Sequence, residues 1–402
     1  MSVPARVDAL IVGAGLVGSA TAWRLAQAGA SVLIVEAAHA NAGASGQNAG
    51  SLHFQIERRF LEQGEAKAAE AAAITGLSRM AVDDWRGLEQ ALGADLHVHM
   101  HGGLMVAETA DEVAMLERKA ARERAAGLSA ELVDGAELRR IAPYLSERVI
   151  AANHMADEGH ADPRAVTPAF VAAARAAGAV LAERTRVTAI ARRAGGFAVT
   201  LAGAGAGTVQ ADQLLIAAGV WSAGVGALAN VHLPLFPVAL QMNVTERVAP
   251  FLPHLIQHVG RRLSMKQAHA GNVLIGGGWP SRMAAGDGRF DLSRRPELLA
   301  PSLAGNLAVA TAVLPHVGGL NLIRSWTGTT AITADQYPLV GAVPCAPGLF
   351  VAAGGSAFTL GPTFARLIAA QMAGGGAAAE AKAALAIAAP ARFDHLNSFM
   401  GG

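Results

Sequence analysis

Gly13, Gly15 and Gly18 fall in a Gly-x-Gly-x-x-Gly pattern, with a carboxylate beyond them at Glu36. That set can hold a dinucleotide. Gly13 permits a tight turn, Gly15 lets backbone approach a pyrophosphate, and Gly18 lets a helix pack closely on a strand. The amides around Leu16 and Val17 would then open a helix, whose N-terminus favours phosphate. Glu36 accepts from ribose hydroxyls and repels a 2′-phosphate, which disfavours NADP. Ala37 continues that edge. The pattern alone is a weak signal. Here it lies inside VDALIVGAGLVGSATAWRLAQAGASVLIVEA, which reads strand, glycine turn, helix, strand, with Gly29 stopping the helix.

Three later glycine segments separate FAD from NAD. The first holds Gly43, Ala44, Ser45, Gly46, Asn48, Ala49, Gly50, Ser51 and Leu52, where an NAD enzyme would add another helix and strand. The second, Ala217, Ala218, Gly219, Val220 and Trp221, ends a strand. The third runs Gly354, Gly355, Ser356 to Thr359, Leu360, Gly361 before the last long helix. Glycine turns spread along the whole chain suit one extended cofactor, and FAD is the expectation.

The elements that must position these residues follow from periodicity. Residues 62–92 read as helical, HVHMHGGLMVAE as a strand, 110–127 as a charged surface helix, and Asp162 to Ala177 as a helix capped by Asp162. Residues 235–290 alternate strand patterns with Pro and Gly turns. Leu214 to Thr245 lacks Asp, Glu, Lys and Arg, but its glycines and prolines argue for strand, turn, loop and strand over a membrane helix. Peripheral membrane contact stays open.

Composition narrows the class. A net charge of +1 with no Lys/Arg block argues against nucleic acid as a partner. The one cysteine, Cys345, excludes an internal disulfide and a four-thiolate cluster held by this chain alone. A reducing cytoplasm fits that composition.

The ordered set of motifs resembles the D-amino-acid oxidase superfamily of FAD enzymes over nearly the full length. GASGQNAGSLHFQ, MKQAHAGNVLIGGGWP and FTLGPTFARL are most similar to a narrower group. That group comprises the β-type subunits of opine oxidase, D-hydroxyproline dehydrogenase and hydrogen cyanide synthase. The resemblance implies an α/β fold: a Rossmann-type, glutathione-reductase-like FAD domain plus an α+β substrate domain with an antiparallel sheet. It implies non-covalent FAD, with the residues of the four glycine segments around it. Val187 would contact adenine through its backbone, and Gly328 would border the cofactor. Amides at Leu360 and Gly361 would face O2 of the ring. It also implies a larger flavoprotein α-type subunit and a small ferredoxin-like one. FMN and a [2Fe-2S] cluster would belong to such a complex, the cluster on cysteines outside this chain.

Departures from the family matter as much. The stretch Trp326-Thr327-Gly328-Thr329-Thr330-Ala331 lacks the Arg that clamps carboxylate in amino-acid-oxidising relatives. Thr359 stands near a Lys of sarcosine oxidases, and Ile275 near another that promotes reaction with oxygen, which favours a dehydrogenase. Three residues are candidates for substrate contact. His53 follows the flavin-side loop; otherwise it is a hydrogen-bonded core histidine. Lys266 borders the substrate cavity in relatives; otherwise it is a solvated rim lysine. Arg324 either points into the cavity or forms a structural ion pair. Gln55 and Arg261 rank below them. His97, His99 and His101 alternate and would share one strand face, which invites a metal, but no acidic or sulfur ligand lies near, and no metal is assigned.

The expected division is an FAD domain from 1–85, 148–222 and 325–390, a substrate domain from 86–147 and 223–324, and a tail at 391–402. The expected activity is oxidation of a C–N bond in a secondary-amine amino acid, such as an opine or D-hydroxyproline, by hydride transfer to flavin within a hetero-oligomeric dehydrogenase. A stand-alone peroxide-producing oxidase and a non-catalytic FAD electron-transfer subunit are the alternatives.

Overall fold

The runs Leu10 to Val12 and Leu33 to Val35 have no polar face, as strands covered on both sides of a parallel sheet require. In the computed structural model, which describes residues 3–286, 288–374 and 376–400, they lie in the parallel strands Arg6–Val12 and Val32–Val35. Helix Leu16–Gln27 joins them. The first sheet runs in the order Leu339–Ala342, Leu349–Ala353, Gly207–Ile216, Arg6–Val12, Val32–Val35, Val180–Ala182. Gly196–Gly203 and Thr185–Arg193 branch from it as an antiparallel pair. Helices Leu16–Gln27, Pro163–Ala176 and Gly361–Ala373 share one core on this sheet through Trp23, Phe170 and Phe364. Asp162 caps its helix by accepting from the Arg164 amide, as expected.

The second sheet runs Leu322–Ile332, Phe236–Arg247, Asn272–Gly276, Ser264–Gln267, Leu255–His258, Gly103–Ala107, Ala151–Met155, Ala130–Asp134. It is antiparallel except where Leu255–His258 lies parallel to Gly103–Ala107. One face buries Leu104, Ile256, Met265 and Ile275 against Ala310 and Val313 of helix Ala300–Val313. Side chains alternate along strands, so Ser264 and Lys266 leave from the opposite face.

Several expectations need correction. Ala151–Met155 and Leu322–Ile332 pair into the second sheet, although the expected division put the first and most of the second with the FAD-binding segments; long-range pairing decides sheet membership, and local pattern does not report it. The strand expected over HVHMHGGLMVAE begins only at Gly103, just after Gly102 at φ +101°; upstream, His97 is left-handed at φ +53° and His99 makes a single bridge to His160. Helix Ala110–Ala125 is not a surface helix all round: Leu116, Lys119, Ala120 and Glu123 are buried. A short helix, Ser222–Leu228, interrupts the stretch read as loop. The tail docks, with Arg392 pairing to Asp335 at 2.7 Å and Asn397 accepting from the His232 amide. Among the described residues no helix is long and apolar enough to cross a membrane.

Candidate functional site

The glycine turn has the shape the pattern requires. Gly13 sits at φ +109°, and a Cβ there would lie 2.5 Å from the Ala217 carbonyl oxygen. The second glycine segment is thereby pressed against the first. Glu36 accepts from the amides of Ala14 and Ala38, one on each oxygen, which aims its carboxylate across the turn. Each oxygen keeps acceptor capacity for a ribose hydroxyl. Val187 lies in the strand Thr185–Arg193, whose Thr185 amide donates to the Glu36 carbonyl. Ala37 is exposed beside them.

The remaining segments converge on this turn. Ser45 Oγ accepts from the Leu16 amide at 3.0 Å. Asn48 bonds the carbonyls of Ala44 and Ser45 and the amide of Gly50, which locks the loop around Gly46 and Ala49. The Trp221 ring reaches Gly43, and Trp326 Nε1 donates to the Gln47 carbonyl next to Gly328. Thr359 Oγ1 donates to the Ser51 carbonyl and accepts from His53 N, so the last loop closes over Leu52 and His53. Gly361 packs on Leu16. Ser51 Oγ is buried without a partner. This run of glycine backbone, with a helix N-terminus and an orphaned hydroxyl, fits FAD. The amides of Leu360 and Gly361, expected to face O2 of the ring, instead donate to the Ser356 and Phe358 carbonyls. That end offers the helix dipole without free N–H groups at those two positions.

The second sheet roofs these loops. His53 Nε2 lies 3.1 Å from Ser264 Oγ. Burial holds the imidazole near a pKa of about 4, so it is neutral, and its Nδ1 has no partner. Lys266, next along the same face, is 3% exposed. Burial pushes its ammonium well below the usual lysine range. It is a buried lysine, not a solvated rim lysine. His160 is also kept neutral by burial, and its Nε2 is unpartnered. His53 and His160 are therefore not fully satisfied core histidines.

Two expectations fail on this roof. Ile275 faces helix Ala300–Val313, so the residue its strand turns toward the site is Leu274, directly across from Lys266. The oxygen argument drawn from Ile275 loses its basis. Arg324 shares the row Arg324, Val244, Leu274, Lys266. It stands on the edge strand, exposed, with no ion pair among the described residues. Three strand spacings put it roughly 14 Å from Lys266 along the sheet. Arg261 is committed elsewhere, to Glu108 and His258.

Beside the site lies a buried polar network that the sequence reading missed. Glu158 accepts from the amides of Phe54 and Gln55 and from Gln55 Nε2. Glu123 accepts from the Ile56 amide. Lys119 Nζ donates to Gln55 Oε1 and to Glu123, each at 2.7 Å. Asn153 donates to Gln55 and Glu123. Two carboxylates thus grip three consecutive amides just after His53. Burial pushes the Glu158 carboxyl up to about 7 despite those donors. The available signal was the spacing of Leu116, Lys119, Ala120 and Glu123, which share one helical stripe. A second missed cluster sets Glu57 between Arg59 and Ser356 Oγ, with the guanidinium against Gly355 beside Gly354.

His97 stacks on His269 at 3.7 Å, while His99 and His101 stand 5.7 Å apart. Among the described residues no cluster of three or more His, Cys, Asp or Glu is arranged to hold a metal. Cys345 is a free thiol beside Arg192, away from the glycine loops.

Known proteins match this arrangement. The family model for FAD dependent oxidoreductases (DAO) matches residues 8–371. The chain is 26% identical over 353 residues to glycine oxidase of Bacillus licheniformis, covering 87% of this chain and 88% of that one. It is 27% identical over 387 residues to a subunit of the opine oxidase of Rhizobium meliloti, covering 92% and 94%. The crystal structure of glycine oxidase from Geobacillus kaustophilus superposes with a TM-score of 0.79 at 26% identity, covering 92% of this chain and 95% of that one.

Proposed function

The chain belongs to the DAO family of FAD-dependent oxidoreductases acting on amino acids or amines, and on that premise we propose that it oxidises the C–N bond of a secondary-amine amino acid, an opine or D-hydroxyproline, as the catalytic subunit of a hetero-oligomeric dehydrogenase. The roof of the site carries the reading. It offers an amino acid one buried amine, Lys266, with no hydrogen bond or ion pair among the described residues, and Thr330 stands where amino-acid-oxidising relatives carry the Arg clamp. A carboxylate docked on Lys266 holds the adjoining C–N bond under the sheet, beside the His53–Ser264 contact. Bound FAD supplies the two-electron acceptor for the α-carbon hydride. The chain supplies position: Glu158 and Glu123 fix the loop, and His53 and Ser264, in contact with each other, stand beside Lys266.

The likeness to the Rhizobium meliloti opine oxidase subunit over 92% of this chain supports the subunit role, as does the HcnC subunit of hydrogen cyanide synthase of Pseudomonas aeruginosa at 26% identity. On this reading electrons leave through a larger flavoprotein subunit and a ferredoxin-like one, the latter carrying the [2Fe-2S] cluster, with FMN held at an interface. Glycine oxidases among the relatives favour a second reading, a stand-alone oxidase. Turnover of the purified chain with opines and imino acids separates the two. Dye reduction without peroxide in air is the expected result; stoichiometric peroxide would make it an oxidase.

A further inference from the structure

Lys266 poses a problem that the fold leaves unsolved. It is 3% exposed and has no hydrogen bond or ion pair among the described residues. The titratable groups facing it are Asp162, His53 and His160. Asp162 is already engaged by the guanidinium and the amide of Arg164. His53 and His160 are neutral. An ammonium on so buried a side chain has only the charge of Asp162 to set against its burial and no hydrogen-bonded partner, whereas a neutral amine costs far less. The site therefore rests with an uncharged lysine pointing from the roof toward the His53 loop.

We propose that Lys266 takes the amine proton of the incoming zwitterionic amino acid, and that the ammonium so formed anchors the carboxylate of the same molecule. The proposal rests on the amino-acid-oxidising reading above. One N–H bond breaks at the substrate ammonium and one forms at Lys266 Nζ; no electrons change owner. The substrate nitrogen regains its lone pair, which hydride departure from the adjoining carbon requires. The new ammonium acquires the anionic partner that the protein withholds. Anchoring and activation become one event, and a carboxylate lacking a basic amine meets a neutral lysine.

Two measurements on the FAD-loaded protein test this. In calorimetry at neutral pH, in buffers of different ionisation enthalpy, pyrrole-2-carboxylate has no basic nitrogen and should bind with uptake of one proton from the buffer. Lys266→Met should abolish that uptake. Binding by wild type without uptake would overturn the proposal. In anaerobic rapid mixing, wild-type flavin reduction should vary little with pH at saturating substrate. Lys266→Met should be about 100-fold slower at neutral pH. It should gain roughly tenfold per pH unit until the substrate amine deprotonates by itself. Lys266→Arg, charged throughout, should bind carboxylate yet keep that steep pH slope. A Lys266→Met profile parallel to wild type, or full rescue by Lys266→Arg at neutral pH, would reduce Lys266 to a fixed anchor. If wild-type flavin is reduced by no amine or amino acid at any pH, the parent reading fails with it.

Discussion

Two buried lysines stand on either side of the His53 loop, and they have opposite fates. Lys119 is fully buried and fully partnered, with Gln55 and Glu123 as acceptors and Glu158 close by. Lys266 is nearly as buried and has no partner among the described residues. Burial disfavours both ammonium groups; at Lys119 the hydrogen-bonded Glu123 pushes back, whereas at Lys266 only the charge of Asp162 does, without a hydrogen bond. Proteins tolerate a buried charge where its compensation is built in. A buried amine left without a hydrogen-bonded counter-charge is a place where a ligand can supply one. On the proposed reading Lys119 belongs to the structure and Lys266 to the site.

The largest expected effect is at the structural lysine. Lys119→Met strands Glu123 and Glu158 without their cation and should cost about 3–5 kcal/mol. Thermal unfolding of the FAD-loaded protein checks this. Lys266→Met should act in the opposite direction, raising stability by on the order of 1 kcal/mol near neutral pH. If both variants lose stability equally, the contrast collapses.

The pH dependence sharpens the same contrast. The folded pKa of Lys266 is depressed, so the unfolded chain binds the extra proton and the penalty is full below the folded pKa. It fades as pH rises toward the unfolded value of about 10.4. The stability gain of Lys266→Met should shrink accordingly over that window. Glu158 is raised from 4.5 to about 7, so the folded state holds a proton that the unfolded chain releases between these values. Wild-type stability should decline from pH 4.5 to 7 on this account, and Glu158→Gln should flatten that slope in a pH series of unfolding midpoints.

The smallest effect is expected at Arg324. It is exposed and unpaired among the described residues, so Arg324→Ala should change stability by less than about 0.5 kcal/mol. The rate of flavin reduction should change less than about twofold, since an exposed group roughly 14 Å from Lys266 makes no contact there. A tenfold loss would mean that Arg324 reaches the substrate.

What the sequence made legible follows from range. The glycine turn, Glu36 and the Asp162 cap are local devices with fixed spacing, and each is where its pattern demands. Roles set by distant pairing were not legible. Ile275 and Leu274 are neighbours in sequence, and only the register with Ser264–Gln267 tells which one faces the site. Lys119 and Glu123 sit in a charge-rich helix that reads as solvated, and Gln55, Asn153 and Glu158, from three separate segments, reveal the buried face. Arg324 shares a row with Lys266, yet its exposure depends on standing at a sheet edge.

On the proposed reading the roof over the glycine loops receives an amino acid whose C–N bond is oxidised. Anaerobic titration of the FAD-loaded protein with opines, imino acids and D-amino acids, read by flavin absorbance, tests it most directly. The account predicts full bleaching by a secondary-amine amino acid at neutral pH, strongly slowed in Lys266→Met. Flavin that stays oxidised across the whole panel would contradict it and leave an FAD-bearing electron carrier.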